Sequence, residues 1–193
     1  TLLLGLGRVN KALSNVLDFP QLALEEADDE EVRVFHRRSM ATSWEPKQNL
    51  KGTFDTIDWS VFLPARVFIS PGIDPRRKFC ASVANFEVRE VDFFCENFKG
   101  EIFAVTGTDG KSTFTSQLGQ VVKWLKPEAR VFVGGNLGNA MGEALMSSYD
   151  FAVLEVSSFQ LERLKSAKFD LGILLNFSID HQDRYDSLDD YFR

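Results

Sequence analysis

The stretch Ile102-Phe103-Ala104-Val105-Thr106-Gly107-Thr108-Asp109-Gly110-Lys111-Ser112-Thr113 decides how the chain is read. It opens as an apolar run of strand character and closes in Gly-Lys-Ser, the ending of a phosphate-binding loop. The usual G-x-x-x-x-G-K-[ST] is not complete, because Val105 stands where the first glycine belongs. Gly107 and Gly110 still let the backbone turn N–H groups around an anion, and a helix starting near Ser112 brings its dipole to the same point. In that reading Lys111 reaches the terminal phosphates and the Ser112 hydroxyl sits on a magnesium ion. The same residues also fit a glycine turn capped by serine ahead of an amphipathic helix.

Working outward, Phe114, Leu118, Val121, Val122 and Leu125 recur at helical spacing and predict one buried helix face. The apolar runs Val131–Val133, Phe151–Leu154 and Leu171–Leu175 predict strands covered on both sides. With Ile102–Val105 they make an α/β unit with a mostly parallel sheet, a P-loop NTPase-like arrangement. An earlier unit opens with Leu2–Leu4, the turn Gly5-Leu6-Gly7 and a helix bearing Val9, Leu13, Val16 and Leu17. Further strands are predicted at Val32–Phe35 and Arg66–Ile69, the latter ending in Ser70-Pro71-Gly72. Strands alternating with helices predict a parallel, Rossmann-like sheet here too. The pattern restarts near Lys99-Gly100, so the predicted division is 1–98 and 99–193.

Three more clusters follow strand ends, where open parallel sheets bind ligands. Glu155 closes the run Phe151–Leu154 and is either a magnesium ligand or a helix-capping carboxylate. His181 stands among Asp180, Asp183 and Arg184 in Asn176-Phe177-Ser178-Ile179-Asp180-His181-Gln182-Asp183-Arg184-Tyr185, which points to a metal or phosphate role. Asn136, in Val133-Gly134-Gly135-Asn136-Leu137-Gly138, either approaches a ligand or belongs to a plain loop.

Composition narrows the classes. Against 28 acidic side chains there are 22 basic ones, a net charge of −6, which argues against a broad polyanion surface and hence against a nucleic-acid partner. The short basic run Arg76-Arg77-Lys78 reads as a solvated helix start, and Glu25–Glu31 as a solvated acidic loop. No apolar run approaches the roughly 20 residues of a membrane span, so a cytoplasmic protein without a membrane partner is expected. Cys80 and Cys95 match no zinc spacing and read as packing residues. Thr1 opens within a strand and the chain closes on Tyr191-Phe192-Arg193, so the expectation is a piece of a longer protein.

Taken together these stretches resemble the Mur ligase family, ATP-dependent amide-bond ligases of bacterial peptidoglycan synthesis. The loop Thr106–Thr113 is similar to that family's T-G-[TS]-[ND]-G-K-[ST]-[ST], which also lacks the first glycine. Glu155-Val156-Ser157-Ser158-Phe159-Gln160-Leu161-Glu162 and Asn176–Tyr185 are similar to the branch that adds D-glutamate. The resemblance runs from Leu3 to Arg193, with its stronger motifs in the second half.

The resemblance implies that Gly107, Thr108, Asp109, Gly110, Lys111, Ser112 and Thr113 bind ATP, and that Ser112, Glu155 and His181 hold magnesium. Lys111, Glu155 and His181 would form the catalytic set. Asn136, Ser157 and Gln160 would approach the uridine nucleotide, while Gly7, Arg8, Val9, Ser70 and Gly72 would hold its uracil and diphosphate, with Arg38 on a phosphate. Two departures stand out: Asn10 replaces the third glycine of G-x-G-x-x-G, and His36-Arg37-Arg38 replaces Asp-Thr-Arg. The implied cofactors are ATP and Mg2+, the substrates UDP-N-acetylmuramoyl-L-alanine and D-glutamate, and the acting form a monomer. ATP would phosphorylate the alanine carboxylate and the amine of D-glutamate would then attack the acyl phosphate. A third domain would complete the site, so these 193 residues alone are expected to be inactive. A sister ligase adding another amino acid, or a non-catalytic nucleotide-binding module, are the competing readings.

Overall fold

The computed structural model describes residues 1–5, 8–17, 21–27, 31–37, 45–59, 66–180 and 187. The chain divides into two compact units, Thr1–Glu90 and Val91–Arg193.

In the first unit, β1 (Leu2–Leu4) is buried along its whole length, as a strand covered on both faces must be. It pairs in parallel with β2 (Gln21–Ala27) on one side and β5 (Val67–Ile69) on the other. Beyond β2 the sheet turns antiparallel through β3 (Glu31–Arg37) and β4 (Glu45–Lys51), giving the order β4-β3-β2-β1-β5. The expected parallel sheet holds for β2-β1-β5 and gives way to antiparallel pairing beyond β2, and the reason is connection length. Only residues 28–30 separate β2 from β3, whereas a parallel crossover needs a dozen or more. The acidic run is corrected with it, since Glu25 and Glu26 lie in β2 and Glu31 opens β3. Helix α1 (Arg8–Val16) joins β1 to β2 and buries Asn10, Ala12 and Leu13. Its last carbonyls are met by Gln21, whose Nε2 donates to Ser14 O and Leu17 O, both at 2.9 Å.

Arg77 is not the solvated residue its basic neighbours suggest. Standing just before α2 (Lys78–Val83), its guanidinium donates to Glu26 at 2.6 and 2.8 Å and to Asp55 at 2.8 Å. It also lies 5.7 Å from the ring centre of Phe54 and 5.2 Å from that of Phe79. The Arg77 hydrogen bond holds the Glu26 carboxyl below the usual glutamate range against the upward push of burial. Burial likewise pushes Asp55 up, but the Phe79 N–H and Arg77 outweigh it and the net direction is down. Such depressed carboxyls lend stability that is present above their unfolded pKa values, about 4, and is lost as pH falls through the folded ones. Arg77→Met should therefore destabilise this unit by about 2 kcal/mol near neutrality, from lost charge-assisted hydrogen bonds. Urea titrations at pH 7 and pH 3 check it: the variant should lose less stability between the two than the parent.

The second unit is built on β6 (Glu101–Thr106), β7 (Val131–Gly135), β8 (Phe151–Glu155) and β9 (Leu171–Leu174), all parallel in the order β7-β8-β6-β9. Period-two alternation sends Ile102, Ala104, Ala152 and Leu154 to one face, where they pack with Val91, Phe94 and Phe98 of the α3 (Glu90–Asn97) region. Val153 and Val131 meet Val122 of α4 (Lys111–Leu125) on the other.

Two expectations are corrected in this unit. Helix α4 buries Thr115, Gly119 and Val122, while Phe114, Val121 and Leu125 are exposed and Leu118 is only partly buried. Gly119 is the cause: a Cβ there would fall 2.4 Å from Val133 Cγ2, so the helix backbone approaches the sheet on its small-residue side. Among the described residues strand β9, expected to be covered on both faces, is an edge strand with Leu171 and Leu174 exposed. Both cysteines are free thiols packed against the cores, and burial pushes the Cys95 thiol up to about 11. Among the described residues no helix is long and apolar enough to cross a membrane.

Candidate functional site

Val105 belongs to the sheet rather than to the loop. It is fully buried and paired with Glu155 and Ile173, and Thr106 is paired in turn with Leu174. The first bend comes only at Gly107, with φ of 142°, and a second follows at Gly110, with φ of 80°. A strand continuing through the usual glycine position is what the altered motif encodes. Helix α4 then starts at Lys111 with no side chain capping it. The amides of a helix's first turn have no intrahelical partner, so this end is suited to an anion. Lys111 Nζ donates to Gly107 O and Thr108 O, both at 2.7 Å, folding the ammonium back over the loop.

Next to it, Glu155 ends β8 with 3% of its surface exposed. Its Oε2 accepts from Ser112 Oγ at 2.7 Å and its Oε1 from Asn136 Nδ2 at 3.0 Å. Ser112 and Asn136 themselves are exposed, so the buried carboxylate lies beneath groups that solvent reaches. Asn136 N also donates to Glu155 O at 2.8 Å, and a Cβ on Gly135 would stand 2.3 Å from that oxygen. Only glycine lets β7 end against β8 in this way. Three loops thus bring a lysine, a hydroxyl, an amide and a carboxylate to the carboxyl edge of one parallel sheet, where such folds bind ligands.

The donor set fits magnesium. A hydroxyl and a carboxylate are hard oxygen ligands, and magnesium commonly takes one or two carboxylates together with substrate phosphates. Among the described residues no three His, Cys, Asp or Glu side chains gather, so an all-protein cage is not what these residues offer.

Ser157 and Gln160 are occupied differently. Gln160 N donates to Ser157 Oγ at 3.3 Å, and Ser157 N donates to Gln160 Oε1 at 3.0 Å, closing a capping box around α5 (Ser158–Leu161). In the first unit, Gly5 and Ser70 follow β1 and β5 and are neighbours: Ser70 N donates to Leu4 O at 2.9 Å. Arg8, exposed, opens α1 beside Gly5, and Gly72 lies in the turn after Ser70. The chain leaves β1 toward β2 on one side and returns as β5 on the other, which makes this crevice a topological switch point. Asn10, fully buried, donates from Nδ2 to Leu4 O at 3.0 Å and Gly5 O at 2.7 Å. Hydrogen bonds thereby tie strand to helix where a third glycine would do so by close packing. Gly7, Arg38 and His181 lie outside the described residues, as does the side chain of Val9.

Sequence reading missed two residues of the site. Asn176 and Ser178, in the stretch read for His181, hydrogen-bond to Thr108 and Asp109 of the glycine loop. Their position just past the end of β9 was the available signal.

Residues 105–193 match the Mur ligase middle domain. With similarity to such ligases extending over the rest of the chain, this protein belongs to the Mur ligase family. Within that family it is similar to curated UDP-N-acetylmuramoylalanine--D-glutamate ligases. The Pseudomonas aeruginosa enzyme is 38% identical over 128 residues, 65% of this chain and 28% of that protein. The Idiomarina loihiensis enzyme is 32% identical over 200 residues, 98% of this chain and 43% of that one. The chain therefore spans less than half the length of these relatives. The crystal structure of the UDP-N-acetylmuramate:L-alanyl-gamma-D-glutamyl-meso-diaminopimelate ligase from Neisseria meningitides aligns with a TM-score of 0.41 at 16% identity, over 68% of this chain and 47% of that one, a likeness too loose to carry a conclusion.

Proposed function

We propose that the chain carries the nucleotide-binding part of a cytoplasmic, ATP-dependent ligase that joins D-glutamate to UDP-N-acetylmuramoyl-L-alanine, releasing ADP and phosphate. The observation that carries this reading is the 2.7 Å contact of Ser112 with Glu155 directly beside Lys111, in a chain similar to D-glutamate ligases.

In the proposed mechanism Lys111 leaves the Gly107 and Thr108 carbonyls for the terminal phosphates of ATP, and the first-turn amides of α4 hold the same group. Asn136 keeps the Glu155 carboxylate oriented from its far side. Magnesium held by Ser112 and Glu155, with His181 at a second ion, would supply positive charge that offsets the repulsion as one anion attacks another. The substrate's own carboxylate attacks the γ-phosphorus and the amine of D-glutamate displaces phosphate from the acyl phosphate, so no side chain acts as a nucleophile. In the first unit, the crevice at Gly5, Arg8 and Ser70 would take the diphosphate of the uridine nucleotide. The 193 residues by themselves are proposed not to complete the reaction, a reading supported by their span of the relatives.

Calorimetric titration tests the binding half. MgATP and UDP should each bind, and the chain given UDP-N-acetylmuramoyl-L-alanine, D-glutamate and MgATP should release no phosphate. A blank with MgATP would overturn the proposal that these residues by themselves hold the nucleotide, and a blank with UDP the role of the first unit. For the acceptor, a full-length protein containing this chain is assayed with UDP-N-acetylmuramoyl-L-alanine, MgATP and D-glutamate or other amino acids in turn. Phosphate release that follows another amino acid in place of D-glutamate would move the assignment to a sister ligase.

A further inference from the structure

Lys111, the first residue of α4, braces the glycine loop through Gly107 O and Thr108 O. If that lysine turns to a phosphate, as the proposed function requires, both carbonyls lose it. Something else must keep the loop in shape at that moment.

The segment after β9 supplies the support. Leu175 N donates to Thr106 O at 3.0 Å, continuing the ladder one rung past the strand, and Thr108 N donates to Asn176 O at 3.2 Å. The Asn176 carboxamide then meets the Asp109 backbone at two points, one on each of its flanking peptides: Oδ1 accepts from Asp109 N at 2.9 Å and Nδ2 donates to Asp109 O at 3.0 Å. Ser178 N donates to Thr108 Oγ1 at 2.9 Å, and Ser178 Oγ donates to the Asp109 carboxylate at 3.1 Å. The fit is tight, since a Cβ on Gly107 would lie 3.1 Å from Leu175 Cβ and 3.2 Å from Asn176 N and O.

Two consequences follow from this pairing. The Asp109 N–H is spent on Asn176, so it does not face an anion, and the N–H groups left for phosphate are those from Gly110 into the first turn of α4. The Asp109 carboxylate, which would repel a phosphate, is engaged by Ser178. A carboxamide that accepts from the N–H and donates to the C=O of one residue bridges the two successive peptides on either side of Asp109, and so fixes their relative orientation, which a single hydrogen bond does not.

We propose that Asn176 is a positioning residue for nucleotide binding: its carboxamide, seconded by Ser178, holds the two peptides flanking Asp109 so that the loop stays open to a triphosphate after Lys111 has left its carbonyls. The inference rests on the proposed nucleotide site. It adds that the segment running on in sequence to His181 sets the shape of the loop carrying Lys111.

The test measures the MgATP dissociation constant and the urea midpoint for the parent, Asn176→Ala, Asn176→Asp, Ser178→Ala and Lys111→Ala. Asn176→Ala should weaken MgATP binding about tenfold, as expected for two lost hydrogen bonds, with the midpoint little changed. Asn176→Asp keeps the acceptor for Asp109 N but loses the donor and adds a negative charge beside the loop, so its affinity should fall at least as far as that of the alanine variant. Ser178→Ala should cost about threefold, one hydrogen bond's worth. A purely structural role would instead lower the midpoint and leave the dissociation constant, measured far below unfolding, where it was. Loss of MgATP binding in Lys111→Ala together with parental affinity in Asn176→Ala would overturn the positioning role and leave the nucleotide site standing. No binding by the parent would overturn both.

Discussion

Lys111→Ala should cost this chain at least about 100-fold in MgATP affinity, the scale at which removing a preorganised charged partner from a phosphate site is felt. The expectation is large because the lysine has little else to do. Its described hydrogen bonds run only to Gly107 O and Thr108 O, and it lies at the first position of α4, where alanine is an equally good helix former. Thermal unfolding should therefore scarcely move while binding is lost. Lys111→Arg makes a useful companion: the charge survives, but a planar fork does not replace a compact ammonium curled over two carbonyls, so only part of the affinity should return. Calorimetry with MgATP reads both variants, and parental affinity in Lys111→Ala would remove the loop from the nucleotide site.

Glu155→Gln is the second large effect, and its signature is the metal. The substitution keeps the shape of a side chain only 3% exposed and leaves Ser112 and Asn136 groups with which an amide can hydrogen-bond. What disappears is the carboxylate that faces Ser112. Parental affinity for ATP should rise on adding magnesium, whereas the variant's should hardly respond, a difference of about 100-fold at saturating magnesium if this carboxylate is a direct ligand. Asn136→Ala should show a milder form of the same defect, about tenfold, since it only orients the carboxylate. Equal magnesium dependence in parent and Glu155→Gln would leave Glu155 a strand-end cap.

Much of this was legible in the sequence, and the reasons differ from residue to residue. The strands of the second unit announce themselves as apolar runs because both faces of β6 and β8 are covered, and Glu155 stands out as the polar residue that ends such a run. The helix face was misread because Phe114, Val121 and Leu125 outweigh Thr115 and Gly119 in any count of apolarity. A glycine that admits close approach carries no hydrophobic signal at all. Arg77 was misread for another reason. Its partner Glu26 lies 51 positions away, beyond what local pattern can report. Ser157 and Gln160 carry the S-x-x-Q signature of a capping box in plain view, a structural role that stands beside the ligand role the resemblance implies.

The placement of β6 has a kinetic consequence. This strand is flanked by β8 on one side and β9 on the other, and β8 is itself enclosed by β7, so one wall of the glycine loop grows from the best-protected part of the unit. The other wall descends from an exposed edge strand. Cooperative opening begins where few apolar contacts must be broken. Under native-state hydrogen exchange, amides of β6 facing β8 should report the full unfolding free energy, while those pairing β6 with β9 exchange through smaller fluctuations. Breathing of the cleft is then one-sided, on the side of the strand that leads into Asn176.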